Sequence, residues 1–394
     1  MERATPMELS FFYIQNSHLP PPLGSDKAPT TFSKYPFTYI STSNNYSLSS
    51  EKFYKIRQIR MHSPSKYYWL LITFKRLLND VSNQKQYIRT HLKPQLESFL
   101  VSNDGSIDEA DITKMLHYYA FGVPSIVGEG FCTLRGFPMS PTERACTTLQ
   151  GALTGIYDDL FDRYTHLDPA VFHKALHNLN LLPKRSSFYQ LCHALIEQML
   201  DAVPDINYFH WAADKVYQAQ VESLKQHNWN LTEKELLEIT LKKGGDSLLF
   251  YRSAFGHPLS PEEREAIYSL GGLMQLGNDI FDTYKDLQES VQTLMTSNCD
   301  IQKIRKEFSS QLDTCVQMLN SLPYPVKNKH QFIRKLLLGI SRCFVCLDQF
   351  ETLQRKNNGK FIPQKFSRKQ LICDMEKPQN LLKSMRYYLQ YCNL

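Results

Sequence analysis

The feature of this sequence that most restricts its fold is an internal repeat, in which the second copy begins 120 residues after the first. Residues 138–164, PMSPTERACTTLQGALTGIYDDLFDRY, align with residues 258–284, PLSPEEREAIYSLGGLMQLGNDIFDTY, and 11 of the 27 positions are identical. About two identities would be expected by chance from ordinary residue frequencies. Each copy opens with Ser-Pro-x-Glu, which is typical of a capped helix N-terminus, and each ends in an acidic cluster. The repeat predicts two equivalent helices with acidic C-terminal ends.

The remainder of the chain has the same helical character from about residue 51 onward. Glycine and proline breakers separate the helical segments, and no stretch alternates polar and apolar residues as a strand would. The pattern predicts an all-α bundle of about ten or more helices over residues 51–394, preceded by an irregular extension over residues 1–50. Apolar residues recur at three- and four-residue steps in segments 84–102, 109–121, 142–166, 186–203, 208–225, 232–254, 261–290, 301–320, 328–354 and 376–391.

Composition narrows the class of protein and its compartment. The 45 basic and 39 acidic residues give a net charge of +6, a mild excess that suits a phosphorylated substrate and does not indicate nucleic-acid binding. Nine scattered cysteines do not form a disulfide framework, and Cys343 and Cys346 are predicted to be core thiols. The chain lacks a signal-peptide pattern and a long apolar run. We expect a soluble cytoplasmic protein without a membrane segment. The sequence leaves open whether the chain forms a homodimer.

The acidic cluster of the first copy is Asp158-Asp159-Leu-Phe-Asp162. Residues four apart lie on one face of a helix, so Asp158 and Asp162 are predicted to point in the same direction. Asp159 is turned about 100° away from them. We call Asp158, Asp159 and Asp162 the first acidic motif.

The cluster of the second copy contains Asn278, Asp282 and Asp286, which we call the second acidic motif. These residues are spaced four apart and form one helical stripe about 12 Å long. Neighbouring carboxylates in an apolar setting repel each other unless cations bridge them, and Mg²⁺ prefers such oxygen ligands. The alternatives are solvated acidic helix ends, or a di-iron bundle. The latter needs Glu-x-x-His pairs, which neither copy has.

The two motifs resemble those of the class I isoprenoid synthases. Asp158-Asp159-Leu-Phe-Asp162 is similar to their aspartate-rich motif. Asn278, Asp282 and Asp286 are similar to the second metal triad of terpene cyclases, with Asp in place of the usual final Glu. The run from Gln275 to Asp286 also resembles a motif of squalene and phytoene synthases. The resemblance implies an isoprenoid-synthase fold with the motifs on opposite walls of a central cavity. It also implies three Mg²⁺ ions that bind the diphosphate of a prenyl diphosphate substrate.

The resemblance also suggests which residues contact the diphosphate and the prenyl chain. Basic residues before the second motif contact diphosphate in the family, which makes Lys243 and Arg252 candidates, and Gly244-Gly245 is expected to kink their helix. An Arg-Tyr pair near the C-terminus has the same role in many bacterial cyclases. The matching pair here is Arg386 and Tyr387. The candidate substrate-contacting residues are Phe131, Gly155, Phe250, Phe255 and Gln275.

The residues after the first acidic motif bear on the reaction. Chain-elongating prenyltransferases have paired arginines there, whereas this chain has only Arg163. The sequence therefore favours a terpene cyclase, which ionises a linear trans-prenyl diphosphate and cyclises the carbocation. Two alternatives remain: a head-to-head or chain-elongating prenyltransferase of the same fold, and a non-catalytic helical protein.

Small residues such as Gly155 leave room for substrate, and a close helix crossing explains them equally well.

Overall fold

A computed structural model describes residues 64–162, 168–297 and 299–392 of the chain. The predicted extension over residues 1–50 lies outside the described residues. The described residues form α-helices joined by short π, 3₁₀ and irregular segments, without strands, so the all-α prediction is confirmed. The helices are α1 Pro64–Tyr87, α2 Lys93–Val101, α3 Glu109–Lys114, α4 Ala120–Gly122, α5 Glu129–Arg135, α6 Pro141–Asp162, α7 Pro169–His177, α8 Ser187–Ala202, α9 Ile206–Ser223, α10 Glu233–Arg252, α11 Pro261–Phe281, α12 Thr283–Gln288, α13 Ile301–Ser321, α14 Val326–Lys356, α15 Arg368–Leu371 and α16 Pro378–Tyr391.

The helix ends agree best with the sequence where a cap marks them. The predicted segment 261–290 begins at Pro261, where Ser260 accepts the amide hydrogen of Glu263. The largest disagreement is at α1, which begins at Pro64, whereas the first predicted helical segment begins at residue 84. Exposed apolar side chains such as Tyr68 and Leu71 hide the amphipathic pattern there.

Both copies of the repeat are built as the same helix–turn–helix unit. In the first, Arg135 in the last turn of α5 donates two hydrogen bonds of 2.6 Å to Glu143 at the start of α6. In the second, Arg252 in the last turn of α10 donates a 3.0 Å hydrogen bond to Glu263 at the start of α11. Each guanidinium also donates to backbone carbonyls of its own turn. The repeat is therefore one of tertiary structure as well as of sequence.

Helix α10 packs against both repeated helices and shows their direction. Glu143 at the start of α6 accepts a hydrogen bond from the amide of Gly256, just beyond the end of α10 (3.4 Å). Seven residues further along α6, Gln150 donates to the carbonyl of Phe250, within α10 (2.9 Å). Helix α6 is therefore antiparallel to α10.

Helix α11 runs in the same direction as α6. Its start contacts the end of α10 through Glu263 and Arg252. Further along, Asp279 accepts a 2.8 Å hydrogen bond from Thr240 in the first half of α10. Both repeated helices are thus antiparallel to α10, and their C-terminal ends, which carry the acidic motifs, point toward the same end of the bundle.

Glycines allow α10 and α11 to cross closely. A Cβ atom at Gly244 would lie 2.1 Å from the carbonyl oxygen of Gly271, and one at Gly271 would lie 2.2 Å from the carbonyl oxygen of Gly244. Helix α10 continues through Gly244 and Gly245 to Arg252. The close approach of two backbones accounts for glycine at position 244.

We expect Gly244→Ala to lower the free energy of unfolding by about 1–3 kcal/mol, because the two helices must move apart to admit the methyl group. Gly122→Ala is the matched control, since a Cβ there would meet nothing within 4 Å. The control should be neutral or slightly stabilising, because alanine favours helix. Urea unfolding of both variants measures the difference, and equal effects would contradict the close crossing.

The core accounts for the cysteines. All nine are free and buried, including Cys343 and Cys346, which confirms the prediction of core thiols. Cys346 lies on α14 and donates a weak 3.5 Å hydrogen bond to the carbonyl oxygen of Ile280 on α11. This contact packs α14 against the part of α11 that carries the second acidic motif.

Among the described helices, none combines the length and apolar character that a membrane span requires.

Candidate functional site

The second acidic motif spans the junction of two helices. Helix α11 ends at Phe281, Asp282 occupies the junction, and α12 begins at Thr283. The amide of Asp282 still donates to the carbonyl of Asn278 (2.8 Å), and the amide of Asp286 donates to the carbonyl of Asp282 (2.8 Å). The helical hydrogen-bond register is therefore kept, so Asn278, Asp282 and Asp286 share one stripe.

The carboxyl groups of this stripe are hard to ionise in the absence of a cation. Burial is the main cause that raises the pKa of Asp282 to about 6; the negative charge of Asp279 also raises it, while Lys285 lowers it. Burial likewise raises the pKa of Asp286 well above its usual value, and Asp279 and Asp282 raise it further. Both side chains are only half-buried. They can therefore be reached from solvent although they are poorly hydrated.

Asp279 anchors this stripe to α10. It is 5% exposed, and its two oxygens accept hydrogen bonds from Thr240 (2.8 Å) and from Gln275 (3.0 Å). Burial raises its pKa, while those hydrogen bonds and the positive charge of Lys243 lower it. The structure thus brings two predicted site residues to Asp279, which follows Asn278 of the second acidic motif in sequence: Gln275 through a hydrogen bond and Lys243 through its charge.

The first acidic motif lies at the C-terminal end of α6, which continues to Asp162. The side chains of Asp158, Asp159 and Asp162 lie outside the described part of the structure. One turn earlier, the position of a Cβ at Gly155 would be 3.4 Å from Cγ of Lys114 on α3. No sequence pattern connects Lys114 to the first acidic motif, because it lies more than 40 residues before it.

Arg252 does not lie with the second acidic motif. It is 1% exposed and pairs with Glu263 at the opposite end of α11. Its other donors bind the carbonyls of Phe255 (3.0 Å) and His257 (2.9 Å). These contacts argue against the prediction that Arg252 receives diphosphate, because its hydrogen bonds fasten the turn between α10 and α11.

The predicted C-terminal pair belongs to a different set of contacts. Tyr387 donates a 2.7 Å hydrogen bond to Asp348 on α14 and accepts a 3.4 Å hydrogen bond from Arg305 on α13. Arg305 also forms an ion pair with Asp348, and Arg386 is exposed. These contacts give Tyr387 a role in joining α13, α14 and α16, and they argue against a diphosphate role for the pair.

The three predicted phenylalanines pack at helix contacts. Phe131 and Phe255 are 1% and 3% exposed, and their rings meet edge to face at 5.5 Å. They lie beside Arg135, at the end of the bundle opposite the acidic motifs. The ring of Phe250 lies 5.4 Å from that of Phe209 on α9. The positions of Phe131 and Phe255 argue against contact with a substrate bound at the acidic motifs.

A further carboxyl group, not selected from the sequence, is buried on α10. Asp246 is 5% exposed, and its Oδ2 atom has no hydrogen-bond partner among the described residues. Burial raises its pKa to about 6, against the lowering effect of Lys242 and Lys215. Ionising this group in the folded protein is therefore unfavourable.

We expect Asp246 to make the protein less stable as the pH rises. Its folded pKa of about 6 exceeds the ordinary value of 3.8, so stability present at low pH is lost as the pH passes through 6. When the pH is raised from 5 to 8, the wild type should lose about 1–2 kcal/mol of unfolding free energy that Asp246→Asn keeps. Urea unfolding at both pH values measures this. The exposed Asp201→Asn should show no such difference from the wild type, and a flat difference for Asp246→Asn would contradict the burial effect.

These contacts define what the site can do. Asp282 and Asp286 are poorly solvated carboxyls that repel each other, and a divalent cation would relieve both effects. Asn278 adds a neutral amide beside them, donating a 3.1 Å hydrogen bond to Asp282. Hydrogen bonds from Thr240 and Gln275 hold the neighbouring Asp279 in place. The stripe therefore offers the oxygen ligands that a hard cation prefers.

No protein-family model matches this chain, and a comparison with curated proteins likewise found no match. The class of protein therefore has to be argued from the fold and from the acidic motifs.

Proposed function

We propose that this chain is a Mg²⁺-dependent class I isoprenoid synthase, and within that class a terpene cyclase. The observation that carries the proposal is the placement of the two repeated helices. They run in the same direction along α10, so the acidic motifs point toward one end of the bundle. The second acidic motif contains carboxyls whose pKa is raised by burial and by the negative charge of neighbouring carboxylates.

Asp282, Asp286 and Asn278 would hold Mg²⁺ from one helix, and Asp158 and Asp162 would do so from the other. Bound there, Mg²⁺ supplies the positive charge that draws a diphosphate away from an allylic carbon. Lys243 is half-buried, and its positive charge lowers the pKa of Asp279. We therefore assign it the role of stabilising part of the negative charge of the diphosphate. Asp279 positions the motif through Thr240. Arg252, Arg386 and Tyr387 have no place in the proposed site.

The test is incubation of the purified full chain with Mg²⁺ and linear allylic diphosphates of ten to thirty-five carbons, followed by analysis of hexane extracts and of the aqueous phase. We expect a cyclic hydrocarbon or alcohol from a single substrate, together with released diphosphate. A longer diphosphate would instead indicate a chain-elongating prenyltransferase. A product of twice the chain length would indicate head-to-head condensation. No turnover of any substrate would contradict the enzyme proposal.

A further inference from the structure

Two histidines and an aspartate form a second cluster of potential metal ligands, separate from the residues of both acidic motifs. His173 and His177 lie four residues apart on α7, and Asp214 lies on α9. The Nε2 atoms of His173 and His177 are 3.0 Å and 2.7 Å from the same oxygen, Oδ1 of Asp214. One ligand atom from each residue lies within 4.8 Å of the others, and within the described part of the chain no other such group of three occurs.

Neighbouring rings hold both imidazoles in position. The His173 ring stacks on Tyr217, with centroids 4.2 Å apart and planes 5° from parallel. The His177 ring lies 4.3 Å from that of His210, which is itself hydrogen-bonded to the carbonyl of Leu176 at 3.0 Å. Ligands fixed by packing lose little freedom when they bind an ion. Packing therefore already holds the two imidazoles in place beside Asp214.

The distances suit a small transition-metal ion. Four ligands about 2.0–2.1 Å from Zn²⁺ in a tetrahedron are about 3.3 Å from one another. The observed separations of 3.0 and 2.7 Å need to widen by only a few tenths of an ångström. The side chains of His177 and Asp214 are 36% and 42% exposed. One side of the cluster is therefore open to a water ligand.

The chemistry of the ligands separates this cluster from the acidic motifs. Imidazole nitrogen suits Zn²⁺ and similar ions, whereas Mg²⁺ prefers oxygen.

We propose that His173, His177 and Asp214 form a Zn²⁺ site that joins α7 to α9 and keeps one coordination position for water. The proposal is independent of the proposed synthase function, since it uses none of the residues of that site. Binding there would fasten α7, which follows the first acidic motif after six residues, to the body of the bundle.

The test is Zn²⁺ titration of the full chain, freed of metal with a chelator, in competition with a chromophoric chelator. Co²⁺ in place of Zn²⁺ gives a second readout through its visible absorption. We expect one tight site in the wild type. His177→Gln and Asp214→Asn should each weaken the affinity at least about tenfold, because even residues behind the ligands have effects of that size. The exposed His227→Gln and the second-motif variant Asp282→Asn should bind as the wild type does.

Two results would overturn this site. One is an affinity for Zn²⁺ that His177→Gln and Asp214→Asn leave unchanged. The other is tight binding that Asp282→Asn removes, which would place the ion at the second acidic motif. Circular dichroism of each variant checks that it is folded. Asp214→Asn, a substitution at a side chain that is 42% exposed, keeps the test decisive if His177→Gln fails to fold.

Discussion

Asp282→Asn is expected to lower kcat/KM for ionisation of an allylic diphosphate at least about 100-fold. The amide keeps the size of the carboxyl group and can still accept the hydrogen bond from Asn278, but it loses the negative charge that attracts Mg²⁺. Burial raises the pKa of Asp282 to about 6, so the carboxylate destabilises the metal-free protein above that pH. The variant should therefore be as stable as the wild type at pH 8, or more so. Steady-state kinetics and urea unfolding measure the two effects.

Glu265→Gln is the matched control. Glu265 lies on the same helix, α11, but is exposed near its other end. We expect its kcat/KM and its stability to equal those of the wild type. A loss of less than tenfold for Asp282→Asn, or a loss that Glu265→Gln shares, would count against Asp282 as a metal ligand.

Arg252→Met is expected to lower the free energy of unfolding by about 3–5 kcal/mol. The substitution leaves Glu263 buried without its main cationic partner, and removing one member of a buried pair has an effect of this size. Glu263 is 3% exposed and keeps a hydrogen bond of 2.6 Å from Tyr324, which does not replace the lost charge. Urea unfolding at pH 8 measures the effect.

Lys243→Met distinguishes a structural role from a diphosphate role. Arg252→Met should unfold more easily but, while folded, should bind pyrophosphate and Mg²⁺ as the wild type does. Lys243→Met should change stability little and weaken that binding, because Lys243 acts electrostatically on Asp279 beside the second acidic motif. The reverse pattern would restore Arg252 as a diphosphate ligand and remove Lys243.

Local signals in the sequence were sufficient to predict most of the fold. Caps and prolines place the start of α11, and an apolar stripe with polar faces marks helices such as α13. Most of helix α1 lies before the first predicted segment, because apolar residues such as Leu71 on the exposed side of the helix obscure its pattern. The extent of a helix is thus predictable where its pattern reflects burial, and it is obscured where exposed residues are apolar.

The candidate site was predictable only in part, because the sequence does not show which ends of two helices lie side by side. The spacing of Asn278, Asp282 and Asp286 depends on helical geometry alone and was accessible from sequence. The role of Arg252 depends on the turn that follows it. Arg135 and Glu143 form the same kind of pair beside the first copy, but the two arginines do not align at the 120-residue offset of the repeat, so the sequence does not indicate this role.

Contacts between distant segments account for the residues that were missed. Asp246 is buried where α10 packs on other helices, and no pattern around it indicates a desolvated carboxyl. His177 and Asp214 are 37 residues apart in sequence, and only the packing of α7 on α9 brings them together. Such pairs follow from tertiary packing, which the periodicity of a single helix does not determine.

The central claim is that the two repeated helices bring their acidic motifs together around Mg²⁺ and a diphosphate. Thermal unfolding with Mg²⁺ and pyrophosphate, added separately and together, tests this most directly. We expect a higher melting temperature only when both are present, corresponding to about 2.7 kcal/mol at 100 times the dissociation constant. Asp158→Asn and Asp282→Asn should each abolish the increase, and Glu265→Gln should keep it. No increase in the wild type, or an undiminished increase in either aspartate variant, would contradict the claim.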